Sequence, residues 1–209
     1  MSTELLQQIA AAQGPHLVPL TVEQYHRMLE ARIIQEGAPI ELIDGLLVHK
    51  DRSATGADPL THNPRHSLIV TRLQRLLDRW AEKIGHHIRS QIPLELSEVD
   101  CPEPDITLVS GPPERYSERH PGPADVFLVV EVADSSLGFD RTTKQRLYSE
   151  AGLPEFWIVN VRSNVIEVFK QPDHTTLKYL VHEEFRAGQH ITYRLGEHSL
   201  EVDVAALLS

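Results

Sequence analysis

The chain has 209 residues, with 20 Lys and Arg against 30 Asp and Glu, which gives a formal net charge of -10. Its hydrophobic content of 41% and charged content of 24% are typical of a globular protein that buries a core without cross-links. One cysteine, Cys101, excludes an intramolecular disulfide framework and a zinc site built on several thiolates. The acidic balance argues against a nucleic-acid partner, because phosphate binding usually needs a basic surface.

The sequence gives no sign of export or membrane insertion. The first residues, MSTELLQQIAAAQ, carry an acid and glutamines where a signal peptide has a basic start and an apolar stretch. The apolar run from Val126 to Val130 is far too short to span a bilayer. We therefore expect a cytoplasmic protein without membrane contact, with residues 1–20 as a peripheral arm and residues 21–209 as one domain.

A helix and a hairpin are the first predicted elements. Thr21 and Gln24 form a capping-box pair, which predicts a helix over residues 21–36 that Gly37 ends. Asp44-Gly45 lies between two apolar segments and is a pair that favours a two-residue hairpin turn. Strands are therefore expected at residues 41–43 and 46–48, and the polar residues 51–63 are expected to form a loop.

The second predicted helix is the longest. Pro64 suits its first turn, Gly85 ends it, and an apolar stripe that includes Ile69, Leu73 and Leu77 lies along one side. The other side carries five basic residues, which are expected to form a solvated face, with contacts to phosphate groups as the alternative. These residues are Arg65, Arg72, Arg75, Arg79 and Lys83.

Strands dominate the rest of the chain. Three are predicted at His87–Leu96, Asp105–Val109 and Asp125–Val132, and the last is nearly continuous in branched apolar residues, as expected for a central strand covered on both faces. A helix over residues 140–151 ends at Gly152. Strands at Phe156–Val159 and Val165–Phe169, two or three edge strands and a short terminal helix complete the chain. This order predicts a mixed central sheet flanked by helices, in the α/β class bordering on α+β.

Two carboxylates occupy positions suited to a shared cation. Glu131 lies within an apolar strand, where a carboxylate is costly to bury unless it is paired or bound to a cation. Asp105 opens another strand directly after Pro104. Carboxylates at the ends of neighbouring strands can share one Mg²⁺, which prefers carboxylate, water and phosphate oxygens. The alternatives are a strand-end glutamate paired with a lysine and an aspartate that closes a turn.

Lys144 is the third candidate residue. It lies at spacings of three, four and seven from Leu147, Tyr148 and Ala151 in the predicted helix, so its side chain is expected to face the sheet. An ammonium held beside the two acids could orient or stabilise an attacking hydroxide. The alternatives are a stem that covers apolar surface with its ammonium at the rim, and an ion pair with Asp140 one turn earlier.

An aspartate after a proline, an acid within an apolar strand and a later lysine together resemble the PD-(D/E)XK nuclease superfamily. The chain resembles more closely its Uma-type group of restriction endonucleases. The order of the segments carries the resemblance over about residues 18–169, and the part from Glu131 to Val159 is the most distinctive. The resembling segments are Glu41–Gly45, His66, Pro104-Asp105, Val130–Val132, Asp140 with Lys144 and Tyr148, and Ala151–Val159.

This resemblance implies a restriction-endonuclease-like core and a Mg²⁺-dependent endonuclease that hydrolyses DNA phosphodiester bonds and leaves 5′-phosphates. It implies that Asp105 and Glu131 are the metal ligands, that Glu41 is a supporting acid and that Lys144 completes the catalytic set. Mn²⁺ is the expected substitute for Mg²⁺, and a homodimer is expected because cutting both strands needs two sites. The neighbours expected around this site are His66, Asp140 and Tyr148.

Two positions depart from the family pattern. The superfamily has a lysine two residues after the second acid, where this chain has Ala133, and the resemblance points to Lys144 as the substitute. The loop that follows contains Asp134-Ser135-Ser136 where the group has a Ser-Pro-Ser-type stretch. Ala133 and the acidic composition favour the alternative function, a noncatalytic interaction module that retains the fold.

Other chemistry finds little support. The chain has 12 histidines, but Pro64 separates His62 from His66, and turn residues interrupt the four from His174 to His198, so no zinc site is predicted. The absence of a glycine-rich phosphate loop and of a Gly-x-Ser-x-Gly motif argues against a P-loop NTPase and a serine hydrolase. Because bound Mg²⁺ would reverse the local field of the acids, the net charge argues against tight nonspecific DNA binding and not against a metal-dependent cleft.

Overall fold

The computed structural model describes residues 17–35, 37–50 and 64–209. Most of the predicted arm, Glu36 at the predicted end of the first helix, and the whole predicted loop at 51–63 lie outside the described residues. Within the described ranges, no helix is long and apolar enough to cross a membrane.

The described ranges contain four helices and ten strands, together with short 3₁₀ turns. In chain order they are α1 (Val22–Glu30), β1 (Ile40–Ile43), β2 (Leu46–His49), α2 (Pro64–Lys83), β3 (His87–Arg89), β4 (Ile106–Val109), β5 (Val126–Ala133), α3 (137–150), β6 (Glu155–Asn160), β7 (Val165–Asp173), β8 (Lys178–Arg186), β9 (His190–Leu195), β10 (His198–Asp203) and α4 (Val204–Leu208). Helix α3 joins an α-helical turn at Leu137–Phe139, a π-helical stretch at Asp140–Lys144 and an α-helical part at Gln145–Glu150.

Six strands form the central sheet, in the order β3-β4-β5-β6-β7-β8. Strands β5 and β6 run parallel and are connected through α3, while the other neighbouring strands of this sheet run antiparallel. Two separate hairpins, β1-β2 and β9-β10, accompany the sheet. The predicted mixed sheet flanked by helices, with β5 in a central position, is confirmed.

Alternate residues of β5 face opposite sides of the sheet, because side chains alternate along a strand. Val130 packs with Leu73 of α2 in a core that also receives β9, β10 and α4. Val129 packs with Tyr148 of α3 in the core on the other face. Glu131, two residues after Val129, is directed to the α3 side. The alternating side chains of β5 therefore fill the two cores and also place the buried carboxylate of Glu131 against α3.

Helix α1 begins as predicted and ends earlier. The capping box is present, since Thr21 Oγ1 accepts the N–H of Gln24 at 3.1 Å and Gln24 Oε1 accepts the N–H of Thr21 at 2.9 Å. The helix stops at Glu30 and not near residue 36, because Arg32 adopts a left-handed φ of 56°. This turn redirects the chain so that Ile34 becomes buried.

The hairpin turn is confirmed at Asp44-Gly45, where both residues have positive φ, 52° and 70°. A side chain at Gly45 would collide with Pro19, whose backbone lies against the turn. The N–H of Leu20 donates to Gly45 O at 2.9 Å, which fixes the chain before α1 to the hairpin. Glycine is thus required here by conformation and by contact.

The predicted strand at His87–Leu96 is much shorter, since β3 ends at Arg89. Gln91 takes a positive φ of 53°, and Ser90 donates its hydroxyl to Asp105 O at 2.8 Å. The N–H of Leu94 donates to Pro102 O at 2.9 Å. Residues 90–105 therefore form a loop that these internal bonds close, which the alternating sequence alone did not reveal.

Helix α3 begins at Leu137, three residues before the predicted start, and Gly152 follows its end with a φ of 72°, as predicted. Its π-helical stretch carries Arg141, which bonds Glu167 of β7 through Nε at 2.9 Å and Nη2 at 2.7 Å. Glu167 is 1% exposed, so the guanidinium neutralises a buried carboxylate. This pair attaches the middle of α3 to the sheet.

We predict that Arg141→Ala lowers the free energy of unfolding by about 2–3 kcal/mol, because the buried Glu167 carboxylate would lose its main compensating charge. Urea denaturation measures the change. The matched control is Arg162→Ala, which removes a more exposed guanidinium paired with Asp134 at 2.8 Å and should cost less than about 1 kcal/mol. Equal losses in the two variants would contradict the role given to the Arg141–Glu167 pair.

Candidate active site

The ammonium of Lys144 lies in the interior between two carboxylates. Its Nζ is 2.6 Å from Glu41 Oε1 and 3.3 Å from Glu131 Oε1, and the residue is 1% exposed. The side chain therefore faces the sheet, as the helical spacing predicts. The alternative in which the ammonium reaches the rim is wrong, because both of its partners are buried as well.

Glu131 has polar partners at both carboxylate oxygens. Tyr148 donates its hydroxyl to Oε1 at 2.7 Å, the oxygen that also contacts Lys144. The backbone N–H of Asp105 approaches Oε2 at the longer distance of 3.4 Å. Helix α3 and the start of β4 thus meet at the carboxylate of Glu131.

Asp105 lies one residue before β4, beside the end of β5. Its Oδ2 accepts the N–H of Val132 at 2.8 Å and is 3.2 Å from His66 Nε2. Because an ionised carboxylate can only accept, the proton of His66 is placed on Nε2. Asp105 Oδ1 receives a longer contact, 3.5 Å, from Gln91 Nε2. One oxygen of Asp105 is therefore fixed to β5 and α2, and the other is weakly engaged.

Residues 101–105, Cys-Pro-Glu-Pro-Asp, connect the acids through the backbone. Pro102 and Pro104 have no N–H, so the segment carries donors only at Cys101, Glu103 and Asp105. All three donors are used within this part of the molecule. Their acceptors are Leu42 O at 2.8 Å, Glu41 Oε1 at 2.7 Å and Glu131 Oε2 at 3.4 Å. The alternating prolines thus set the positions of the three acids relative to one another.

Burial and crowding shift the pKa values of these groups in different ways. Burial raises the pKa of Glu131 to about 7, with the neighbouring acids raising it further and Lys144 opposing the rise. Burial also acts to raise the pKa of Asp105, but His66, the Val132 N–H and Gln91 together outweigh it and the pKa lies below its ordinary value. Burial disfavours the Lys144 ammonium, yet the adjacent carboxylates hold its pKa above the ordinary value. Lys144 therefore does not fully compensate the charge of Glu131.

Tyr148 and Asp140 complete the surroundings. Burial, together with the adjacent Glu131, raises the pKa of Tyr148 well above its ordinary value, so its hydroxyl stays a neutral donor. Asp140 is 1% exposed and lies at the start of the π-helical stretch that ends at Lys144. Its negative charge raises the pKa of both Glu131 and Lys144. The interior around Lys144 thus holds more carboxylates than one ammonium balances.

This donor set fits a hard divalent cation. Glu131 Oε2 and Asp105 Oδ1 each receive only a long contact, of 3.4 Å and 3.5 Å respectively. Glu41 Oε1, in contrast, is held by Lys144 and by the Glu103 N–H. A cation would therefore take oxygens from Asp105 and Glu131, with Glu41 acting through Lys144.

The structure brings the predicted site residues together where β5 ends and β4 begins. They are Glu41, Asp105, Glu131 and Lys144, with His66, Asp140 and Tyr148 around them. No three of the His, Asp and Glu side chains among these described residues place one ligand atom each within 4.8 Å of the other two. In the part of the chain that the structure describes, the group of His, Cys, Asp or Glu side chains that meets this distance limit consists of His26, Glu95 and His120. Neither that group nor Gln91 was predicted. The alternation of Pro102 and Pro104 is the sequence signal that could have revealed the backbone donors.

Comparisons with known proteins agree with the fold. A family model described as "Uma2: Putative restriction endonuclease" matches residues 22–205. No curated protein matches the chain. The chain is similar to the crystal structure of a putative nuclease belonging to DUF820 from Anabaena variabilis, with a TM-score of 0.63 and 14% sequence identity over 91% of this chain and 100% of that chain. At this identity the likeness shows a shared fold.

We predict that Glu131→Gln becomes more stable relative to the wild type as pH rises from 5 to 8 in EDTA. A folded-state pKa of about 7, against an ordinary value of 4.5, means that Glu131 favours folding when protonated and opposes it once ionised. The glutamine cannot ionise, so the difference in unfolding free energy should grow by about 2–3 kcal/mol over this range. Urea denaturation at each pH measures it. A difference that stays constant would contradict the raised pKa.

Proposed function

Because the chain belongs to the Uma2 family of restriction endonucleases, we propose that it is a Mg²⁺-dependent endonuclease that hydrolyses DNA phosphodiester bonds. The observation that carries the proposal is the buried cluster in which Lys144 contacts Glu41 and Glu131 beside Asp105. Such a cluster is costly for a fold to maintain unless it binds a ligand or performs chemistry.

Asp105 and Glu131 are the proposed metal ligands. Asp105 is kept ionised by its bond with His66, and Glu131 retains an oxygen with only a long contact. A Mg²⁺ ion held by these oxygens would lower the pKa of water and offset charge on the scissile phosphate. Binding would also compensate the charge of Glu131, whose ionisation is opposed by burial and by the neighbouring acids.

Lys144 supplies a fixed positive charge next to the ligands. Two carboxylates hold its pKa above the ordinary value, so it acts as a cation and not as a general base. Its position, 3.3 Å from Glu131 Oε1, is suited to stabilising negative charge on an attacking oxygen or on the phosphate. Glu41, at 2.6 Å, fixes the ammonium in place. Lys144 thereby takes the role of the lysine that Ala133 replaces.

His66 is proposed to position Asp105. Its Nε2 proton is directed at Asp105 Oδ2, and α2 holds the ring in a buried position. The bond lowers the pKa of Asp105 and leaves the other oxygen, Oδ1, for a cation. His66 therefore acts on the metal through its neighbour.

Basic residues on α2 offer contacts to the phosphate backbone of DNA. Arg75, Arg79 and Lys83 line a surface groove with Trp80. Arg65 and Arg72 differ from these residues, because they hold α2 to neighbouring segments. Arg65 bonds Val161 O at 3.0 Å, and Arg72 bonds Leu207 O at 3.3 Å. The proposed DNA contacts thus belong to the outer part of α2. Cleavage is proposed to leave a 5′-phosphate, and a homodimer would present two sites to the two strands.

The second candidate function is a noncatalytic interaction module. The observation that favours it is the position of Lys144, whose ammonium already occupies the space between Glu41 and Glu131. In such a protein the lysine would serve folding alone. A measurement of divalent-ion binding at Asp105 distinguishes the two candidate functions.

We predict that plasmid cleavage requires Mg²⁺ and that Glu131→Gln, Asp105→Asn and Lys144→Met each reduce it at least about 100-fold. The matched control is Glu183→Gln, which removes an acid from the exposed side of β8 and should retain wild-type activity. Urea denaturation verifies that each variant is folded. Cleavage that persists in Glu131→Gln would refute the proposed site.

We predict that Mg²⁺ or Mn²⁺ raises the Tm of the wild-type protein and not that of Asp105→Asn, because only a folded site binds the ion. Thermal shift at increasing ion concentration measures this. Equal stabilisation of the two proteins would place the ion elsewhere. Absence of any stabilisation, with no cleavage, would favour the noncatalytic module.

A further inference from the structure

A second set of metal-ligating side chains lies on another part of the surface. His26 of α1, Glu95 of the loop after β3 and His120 of the loop before β5 each bring one ligand atom within 4.8 Å of the others. His26 Nδ1 is 3.7 Å from Glu95 Oε1, and the two imidazole rings have centroids 5.6 Å apart at an angle of 54°. The three residues are partly buried and come from distant parts of the sequence, so the fold assembles the group.

The chemistry of this group differs from that of the acid cluster, by which we mean Glu41, Asp105 and Glu131. Two imidazoles and one carboxylate suit Zn²⁺, Co²⁺ or Ni²⁺, whereas Mg²⁺ prefers oxygen ligands and water. Two atoms bound to one tetrahedral Zn²⁺ at about 2.0–2.1 Å lie about 3.4 Å apart. His26 Nδ1 and Glu95 Oε1 are within a few tenths of an ångström of this spacing. Small side-chain rotations would complete the set.

We propose that His26, Glu95 and His120 bind one divalent transition-metal ion of the Zn²⁺ class, with water at the remaining coordination position. The site is independent of the proposed nuclease function. It shares no ligand with the acid cluster, and its ion belongs to another class.

The surroundings fix the two rings in different ways. His26 directs its second nitrogen, Nε2, to Cys101 Sγ at 4.0 Å, which leaves Nδ1 on the side of Glu95. His120 Nδ1 is 3.4 Å from Arg89 Nη2, longer than a normal hydrogen bond, so this ring is only weakly held. Burial lowers the pKa of His120, which favours the neutral imidazole that a metal needs. Arg89 is a nearby cation that opposes binding.

A bound ion would connect α1 to the two loops beneath it. The start of α1 already contacts the first loop, where the N–H of Val22 donates to Glu98 O at 2.8 Å. Cys101, next to His26, pairs with Leu42 of β1. The ion would therefore reinforce the packing of α1 on the segment that leads to the acid cluster, and we expect it to stabilise the fold.

The test is titration of the full chain with Co²⁺ in the presence of millimolar Mg²⁺, which occupies oxygen-only sites. We expect one equivalent of Co²⁺ to bind with the absorption bands of a low-coordinate site, and Zn²⁺ to displace it. His26→Ala, Glu95→Gln and His120→Ala should each weaken binding at least about 100-fold, since losing a ligand costs more than losing one of its outer partners. Arg89→Met should bind more tightly than the wild type, because it removes the opposing charge.

Two controls make the result decisive. His190→Ala removes an exposed histidine that lies 4.0 Å from Asp203, a comparable surface pair, and should bind like the wild type. Glu131→Gln should also bind normally, even though it abolishes the proposed cleavage. Thermal denaturation in EDTA verifies the fold of each variant. Failure of the wild type to bind one equivalent, or unchanged binding in both His26→Ala and His120→Ala, would overturn the proposal.

Discussion

The buried ammonium of Lys144 holds three parts of the fold together. It contacts Glu41 of the first hairpin at 2.6 Å and Glu131 of the central strand at 3.3 Å, and α3 carries it. None of these charges is stable alone in the interior, because the free-energy cost of removing a charge from water is not offset unless an opposite charge lies beside it. The hairpin, the sheet and α3 are therefore coupled, and removing Lys144 deprives both carboxylates of their shared cation.

We propose that the same cluster accepts another cation. Its carboxylates outnumber the one ammonium, and the excess appears at Glu131, whose pKa is raised to about 7. A proton relieves the excess at low pH, and a divalent ion between Glu131 and Asp105 would relieve it at neutral pH. Under the proposed function, an acidic chain with a net charge of -10 could act on a polyanion because a bound metal would reverse the local charge at the site.

Much of this arrangement follows from the sequence, and the rest depends on tertiary contacts. Helical spacing predicts that Lys144 faces the sheet, and the nearly continuous apolar run around Glu131 predicts a strand covered on both faces. The bond between Lys144 and Glu41 joins residues 103 positions apart, so no local pattern could predict it. The early end of β3 depends in the same way on the bond from Ser90 to Asp105. The group of His26, Glu95 and His120 draws on three separate segments, which is why histidine spacing gave no sign of it.

The most direct measurement of the central claim is a crystal structure with Mn²⁺, located by anomalous scattering. We expect an ion bound by oxygens of both Asp105 and Glu131, with the Lys144 ammonium still beside Glu41 and Glu131. Anomalous density at His26 and His120 alone, with none at the sheet edge, would contradict the proposed metal-dependent site.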